Sequence, residues 1–425
     1  MKLRHTVLLI AAVSLFGLTA KSQSAQSPMA TKYDMVQCEG SLTPYPSGVQ
    51  EIETPDSLTP VYISHVGRHG SRYPASATHT MKMKVALMRA DSIGTITPLG
   101  RDLLKLCDRI ADASNGRWGA LDSLGMAEQR SIATRMFWNF KKLFDGVTVS
   151  ALSSYSPRSM MSMYSFVHQL DRMNNHLEFI TTTGRMNSPL MRPFDVDEDY
   201  LTFRKDDVWA PAYNEYFESV CPLTAITRVL GRDFPFGDTD NARDLAITEY
   251  YVLAGLRAMQ MPSEMSKYFN QAEANALWSC FNLRQYLQRT ATTVSTVPAD
   301  IASQLLMDVI NKADGALTGS NPATVDLRFG HAETVMPFVS LLRLPGCYYM
   351  TNYFDTVGQH WKDFYVVPMA ANVQFIFYKT AKGKYYVQTL LNEKPVALIP
   401  NDPRLYLPWG EARAYMMRCV PMHLQ

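Results

Sequence analysis

A buried strand that runs directly into a pair of arginines constrains this chain more than any other feature. Val61, Ile63 and Val66 make Pro60 to Val66 a β-branched, apolar run, and Gly67 ends it. Arg68-His69-Gly70-Ser71-Arg72-Tyr73-Pro74 follows at once. A strand that gives way to such a loop fits an α/β fold, because open sheets collect ligands at the carboxyl ends of their strands. The loop itself sets an imidazole between two guanidiniums. Arginine neutralises phosphate oxygens through planar, bidentate hydrogen bonds, and a neutral histidine can attack phosphorus. Arg68 and Arg72 are therefore expected to grip a phosphate and His69 to attack it, with Gly70 letting the backbone approach the ligand.

The rest of the chain supports an α/β core, a central sheet flanked by helices, with a mostly helical inserted domain. Thr97-Pro98 starts a helix, and another is predicted from Met126 to Phe144, followed by a strand from Val147 to Tyr155. Helices are predicted over Asn241–Gln260, Pro262–Arg289 and Pro298–Ala313, and a strand over Thr324–Phe329. Val373–Tyr378 and Tyr385–Leu391 flank a Lys- and Gly-containing turn and read as a hairpin at the sheet edge. The predicted division is 30–160 and 298–425 for the core and 161–297 for the insertion.

Residues 1–25 have the layout of a secretory signal peptide: Lys2 and Arg4, an apolar run from Val7 to Leu18, then small and polar residues. Its apolar run is too short to span a bilayer, so no membrane anchor is expected. The expectation is an exported protein, periplasmic or secreted, of bacterial type. Removing residues 1–20 takes Lys2 and Arg4 from a net +2, leaving about zero, so any attraction for anions must come from local clustering. Nucleic acid is not an expected partner. The six cysteines could form disulfides in an exported chain, but their wide scatter specifies no pairing and they lack a Cys-x-x-Cys metal spacing. Asp195, Asp197, Glu198 and Asp199 are read as a solvated loop rather than a metal site, and His65 as a residue packed within its strand.

The Arg-His-Gly-x-Arg-x-Pro run resembles the signature of the histidine acid phosphatases, a branch of the histidine phosphatases. The resemblance extends to Tyr155-Ser-Pro-Arg158-Ser159, which implies that Arg158 joins the phosphate pocket, and to Gly330-His331-Ala332-Glu333-Thr334. Most acid phosphatases of the family carry aspartate directly after that second histidine. Here Ala332 stands there and the carboxylate is shifted to Glu333, an arrangement similar to that of multiple inositol polyphosphate phosphatases. Met191-Arg192-Pro193-Phe194-Asp195 looks like a segment of the same subgroup.

The resemblance implies hydrolysis of inositol polyphosphates such as phytate through a phosphohistidine on His69. His331 would assist, Glu333 would be the proton donor, and Arg192 would contact other phosphates, with Arg204 and Lys205 as weaker candidates. It implies no metal and no organic cofactor. Hydrolysis of smaller sugar phosphates, or phosphate-ligand binding without catalysis, remain the alternatives. Burial would raise the carboxyl of Glu333 toward the protonated form and the arginines would lower it, a balance left open.

Overall fold

A computed structural model describes residues 33–48 and 51–422. The expected signal peptide lies outside the described residues. Among the described residues, no helix is long and apolar enough to cross a membrane.

Among the described residues, eight strands form one mixed sheet: β1 (Leu58–Arg68), β2 (Thr148–Ser153), β3 (Glu178–Thr182), β4 (Ala323–Gly330), β5 (Asn372–Thr380), β6 (Tyr385–Leu391), β7 (Lys394–Val396) and β8 (Tyr406–Pro408). Their order is β3-β2-β4-β1-β5-β6-β7, with β8 also paired to β6. β1, β2, β3 and β4 run parallel, and β5 returns antiparallel to β1. β5 and β6 form the expected hairpin, but β5 lies inside the sheet and the short strands β7 and β8 lie outside β6. The register sets Arg68 opposite Gly330, so the residues that follow β1 and β4 emerge side by side although more than 250 positions separate them. This adjacency places the site.

Alternation along the strands sends side chains to two cores. Ile63, Val149, Ala151, Leu327 and Ile376 pack under α3 (Ser123–Asn139) and α4 (Pro157–Met173). On the opposite face, Tyr62, Val66, Phe375 and Phe377 share a core with Leu305, Val309, Val335 and Val339 of the helices that flank β4. A third core, lying in a helical layer, joins α1 (Thr78–Ser92) and α2 (Pro98–Ser114) to helices from much later in the chain. These are α8 (Thr224–Leu230), α9 (Ala242–Ala254), α10 (Met265–Tyr268) and α11 (Gln271–Arg289), whereas α5 (Ser188–Met191) and α6 (Glu198–Lys205) give Met191, Tyr200 and Phe203 to the second core and α7 (Ala210–Val220) borders both. After them come α12 (Val297–Asp300), α13 (Ser303–Thr318) and α14 (Ala332–Leu341).

Several boundaries differ from expectation for local reasons. The helix predicted over 126–144 begins at Ser123, because Asp122 caps it by accepting from the amide of Leu124, and it ends at Asn139. The predicted 262–289 helix is broken at Asn270, where Asn270 and Glu273 form a reciprocal capping box that starts α11 afresh. The expected boundary at residue 160 falls inside α4. β3, on the insertion side of that boundary, is a strand of the sheet, and α1 and α2, on the core side, pack into the helical layer. All six cysteines are free, five of them buried, so none of the disulfides considered from the sequence is present.

Candidate active site

The loop after β1 is clamped on both sides. The backbone amide of His69 donates to the carbonyl of Gly330 at 3.1 Å, the next step of the β1–β4 ladder. Gly70 packs backbone to backbone against the start of α3: a Cβ there would lie 2.4 Å from the carbonyl oxygen of Gly125. The glycine is thus required by packing against α3, not by approach to a ligand as the sequence suggested. Next to it, the carboxylate of Glu128 accepts from the amide of Ser71, the hydroxyl of Ser71 and the amide of Tyr45, at 2.7, 2.7 and 2.8 Å. Gln129 donates to the carbonyl of Arg68 at 2.9 Å. One turn of α3 therefore fixes the whole loop.

His69 is buried, and its Nδ1 lies 2.9 Å from its neighbour's carbonyl, that of Gly70. A carbonyl only accepts, so Nδ1 carries the proton and the lone pair is on Nε2. Burial holds the imidazole well below its usual range, and the charges of Arg158, Arg68 and Arg72 add to the effect. It is a neutral imidazole with a free lone pair.

A cavity of about 260 Å³ opens over this ring, between the carboxyl ends of the parallel strands and the helical layer. Arg68, His69, Arg72, Arg158 and Glu333 line it. Arg68 is anchored by Nη1, which donates to the carbonyls of Ser41 and Val367 at 2.6 Å each. Arg72 donates from Nη1 to the carbonyl of Tyr73. The buried Nε atoms of Arg68, Arg72 and Arg158 have no hydrogen-bond partner in the protein. Burial lowers Arg68 to about 10, and burial with the charges of Arg158 and Arg68 lowers Arg72 to about 9. Cations crowded at that cost, with donors to spare, are matched by an anion.

His331 stands across from His69, with ring centroids 5.5 Å apart. It caps α14, its amide donating to the hydroxyl of Thr334, which in turn donates to the carbonyl of Met191. Its Nε2 receives Nη1 of Arg192 at 2.9 Å and lies 2.9 Å from the hydroxyl of Ser154, while Nη2 of Arg158 approaches Nδ1 at 3.4 Å. Arginine has no lone pair to offer, so Nε2 is an acceptor and the ring is neutral. Burial, foremost, and the neighbouring arginines hold it well below the usual histidine range.

Arg192 is held by Asp195 at 2.6 Å and stacks near Tyr155 and Phe194. It thus braces His331 and is not among the residues that line the cavity, in contrast to the expected contact with further phosphates. Lys205 is exposed, and Arg204 borders a neighbouring cavity. Asp195 is taken up by Arg192 and Tyr155, and Asp197 caps α6. Among the described residues no group of three or more His, Cys, Asp or Glu side chains is placed to hold a metal ion. His65 lies buried between Phe166 and Phe329, within its strand.

Glu333, in the first turn of α14, lines the cavity with its side chain 32% exposed. Burial alone would raise its carboxyl, but the charge of Arg289, 3.3 Å away, foremost, and that of Arg68 reverse the sign and hold it far below the usual carboxylate range. The balance that the sequence left open is thus set by the arginines. Three supporting residues carried no sequence signal that singled them out. Glu128 and Arg289 are ordinary charged residues of helices, and Ser154 lies beside a serine-rich strand end. Only the fold shows what they touch.

The sequence model of the histidine phosphatase superfamily (branch 2) matches residues 62–392. Among curated proteins, multiple inositol polyphosphate phosphatase 1 of Homo sapiens is 27% identical over 373 residues, covering 80% of this chain and 76% of the human protein. The Gallus gallus protein of the same name is 26% identical over 367 residues, covering 80% of this chain and 78% of its own. Among solved structures, the multiple inositol polyphosphate phosphatase of Bifidobacterium longum, in complex with inositol hexasulfate, superposes with a TM-score of 0.78 at 18% identity. That match covers 91% of this chain and 99% of the other. The phytase from D. castellii gives a TM-score of 0.71 at 17% identity, covering 94% and 89%. The strand-end motif, the second histidine set beside it by the β1–β4 register, and a family match over most of the chain lead to one conclusion: this chain belongs to the histidine phosphatase superfamily, branch 2.

Proposed function

We propose that the chain is a phosphomonoesterase that hydrolyses inositol polyphosphates such as phytate through a phosphohistidine on His69. The observation that carries this reading is the hydrogen bond from Nδ1 of His69 to the carbonyl of Gly70, which leaves a neutral Nε2 nucleophile beside three guanidiniums whose buried Nε atoms have no partner in the protein. A phosphate monoester is anionic and repels nucleophiles. Arg68, Arg72 and Arg158 neutralise its oxygens and stabilise the charge of the transition state, because they are already oriented in a buried site. Nε2 of His69 then forms a bond to phosphorus while the bond from phosphorus to the ester oxygen breaks. Glu333 delivers a proton to the departing oxygen. Water next attacks the phosphohistidine, Glu333 takes the water's proton, and phosphate leaves with His69 restored. His331, whose ring stands 5.5 Å from that of His69 and is steadied by Arg192 and Ser154, donates to a phosphoryl oxygen.

For Glu333 to act as an acid it must first gain a proton. The bound phosphate supplies the reason: its negative charge offsets the cations that keep the carboxyl ionised. Inositol polyphosphates are favoured over simpler esters because the human and chicken relatives bear the name multiple inositol polyphosphate phosphatase, and because the B. longum structure is a complex with inositol hexasulfate. The carboxylate two positions after the second histidine adds to that case. The apolar run behind Lys2 and Arg4 supports export from the cell, and the core-plus-insertion division remains part of the same reading. Phosphate release from phytate, compared with release from a simple sugar phosphate, tests the assignment. Preferential turnover of phytate is expected; preference for the sugar phosphate would overturn the inositol assignment.

A further inference from the structure

The main cavity continues into a second one of about 240 Å³ that the phosphoryl chemistry does not use. His79, Tyr251 and Gln285 border both, so the two hollows adjoin. Three guanidiniums line the second hollow, Arg204 from α6 and Arg284 and Arg289 from α11, and among the described residues no carboxylate does. Arg204 donates to the amide oxygen of Gln288 at 3.2 Å. Gln288 is only 2% exposed, and its amide nitrogen, like Nε of Arg204, has no acceptor in the protein. The hollow is thus rich in buried donors with nothing to receive them, a surface suited to an anionic oxygen.

Arg289 belongs to both places. Its Nε donates to Gln285 at 2.6 Å, and its Nη2 lies 3.3 Å from Oε1 of Glu333. The other charged or titratable groups that face Glu333, namely Arg68, Arg72, Arg158 and His331, all belong to the phosphoryl side. Of these five neighbours, only Arg289 also borders the second hollow.

We propose that Arg289 is a positioning residue that couples the proton donor to a second phosphate of the substrate: an anionic group seated by Arg204, Arg284 and Gln288 draws Arg289 to itself and away from Glu333. The inference rests on the reading of Glu333 as proton donor given above. An ion pair at this distance favours the carboxylate, the form that cannot protonate a leaving oxygen. A phosphate in the second hollow competes for the same guanidinium, which pairs with phosphate in the same bidentate manner. A substrate with two or more phosphates therefore switches the acid on as it binds. A monophosphate fills the main cavity and leaves Arg289 on Glu333.

The test compares the pH dependence of kcat for phytate and for glucose 6-phosphate, both of which lose an alcohol that needs a proton. In wild type the alkaline limb for phytate should lie above that for glucose 6-phosphate, by on the order of one pH unit. In Arg289→Gln the glucose 6-phosphate limb should rise to meet the phytate limb, and Arg289→Lys should restore the gap, which loss of packing alone would not do. Arg284→Gln, which does not touch Glu333, should raise KM for phytate and narrow the gap from the phytate side. Coincident limbs in wild type, or a gap that survives Arg289→Gln, would overturn the coupling. Failure of the phosphatase reading is distinguishable, because wild type would then release phosphate from neither ester.

Discussion

Glu333 carries the sharpest chemical expectation attached to one residue. Glu333→Gln keeps the shape of the side chain and removes the proton. With phytate, whose leaving alkoxide must be protonated, kcat should fall by about 10²- to 10⁴-fold. With p-nitrophenyl phosphate, whose phenolate departs without help, breakdown to the phosphohistidine should be nearly unaffected. Pre-steady-state release of nitrophenol separates the two steps; an equal loss with both esters would remove Glu333 from its role. The residue that follows His331 in the sequence was enough to point to this carboxylate, through the departure from His-Asp to His-Ala-Glu. Its ionisation was not legible there, because Arg289 lies 44 positions earlier and nothing in either segment announces that the two meet.

At the scale of elements, the loop after β1 depends on α3. Gly70→Ala would drive a methyl group into the backbone of Gly125, and two backbones cannot give way as a flexible side chain can. A loss of roughly 1–3 kcal/mol is expected, read as a lowered Tm, with a larger fall in activity because the clash moves His69 itself. An unchanged Tm would show that the loop is free to shift. Glu128→Gln should also destabilise, by about 1–3 kcal/mol, since an amide can accept with only one of its two terminal atoms and the carboxylate serves three donors. These supports explain where sequence reading stopped. The run of β-branched residues in β1 and the motif behind it were plain. β3 was not, because its residues are mostly exposed and show no alternation. Glu128 looks like a solvated helix residue until the loop is folded onto it. The capping box at Asn270 was present in the sequence, but it lies within a continuous helical pattern that hid the break.

For the molecule as a whole, buried titratable groups set the pH range of stability. Burial, the largest cause in each case, pushes Glu39 up to about 7 and Glu249 up to about 8. A carboxyl raised by folding binds more protons in the folded state than in the unfolded one, so stability falls as pH rises from the usual carboxylate range through the folded value. Histidines lowered by burial act in the opposite sense. His65, held at about 3, His69 and His331 contribute fully above the ordinary histidine value of 6.5, and that contribution is lost as pH falls below it.

The two sets oppose each other in mildly acidic solution, and above pH 6.5 only the carboxyls remain. Tm should therefore decline between about pH 6.5 and 8.5. Neither carboxyl oxygen of Glu249 has a hydrogen-bond partner, so Glu249→Gln should keep the fold and remove much of that decline. Differential scanning calorimetry at the two ends of this range checks it, and an undiminished decline would contradict it. The overall architecture was largely legible, because strand and helix periodicities are local. The pairing of β1 with β4 was not, since it joins segments more than 250 residues apart. Yet it is this pairing that sets His69 beside His331.

Every role assigned to the cavity residues depends on a phosphoryl group passing through His69. Rapid acid-free quenching of wild type with ³²P-labelled phytate, followed by peptide mapping, measures this directly. The expected result is an acid-labile, base-stable label confined to the peptide that contains His69, and none in His69→Ala, whose phosphate release should fall by on the order of 10³-fold or more. A label on another residue, or phosphate release that His69→Ala leaves unchanged, would contradict it.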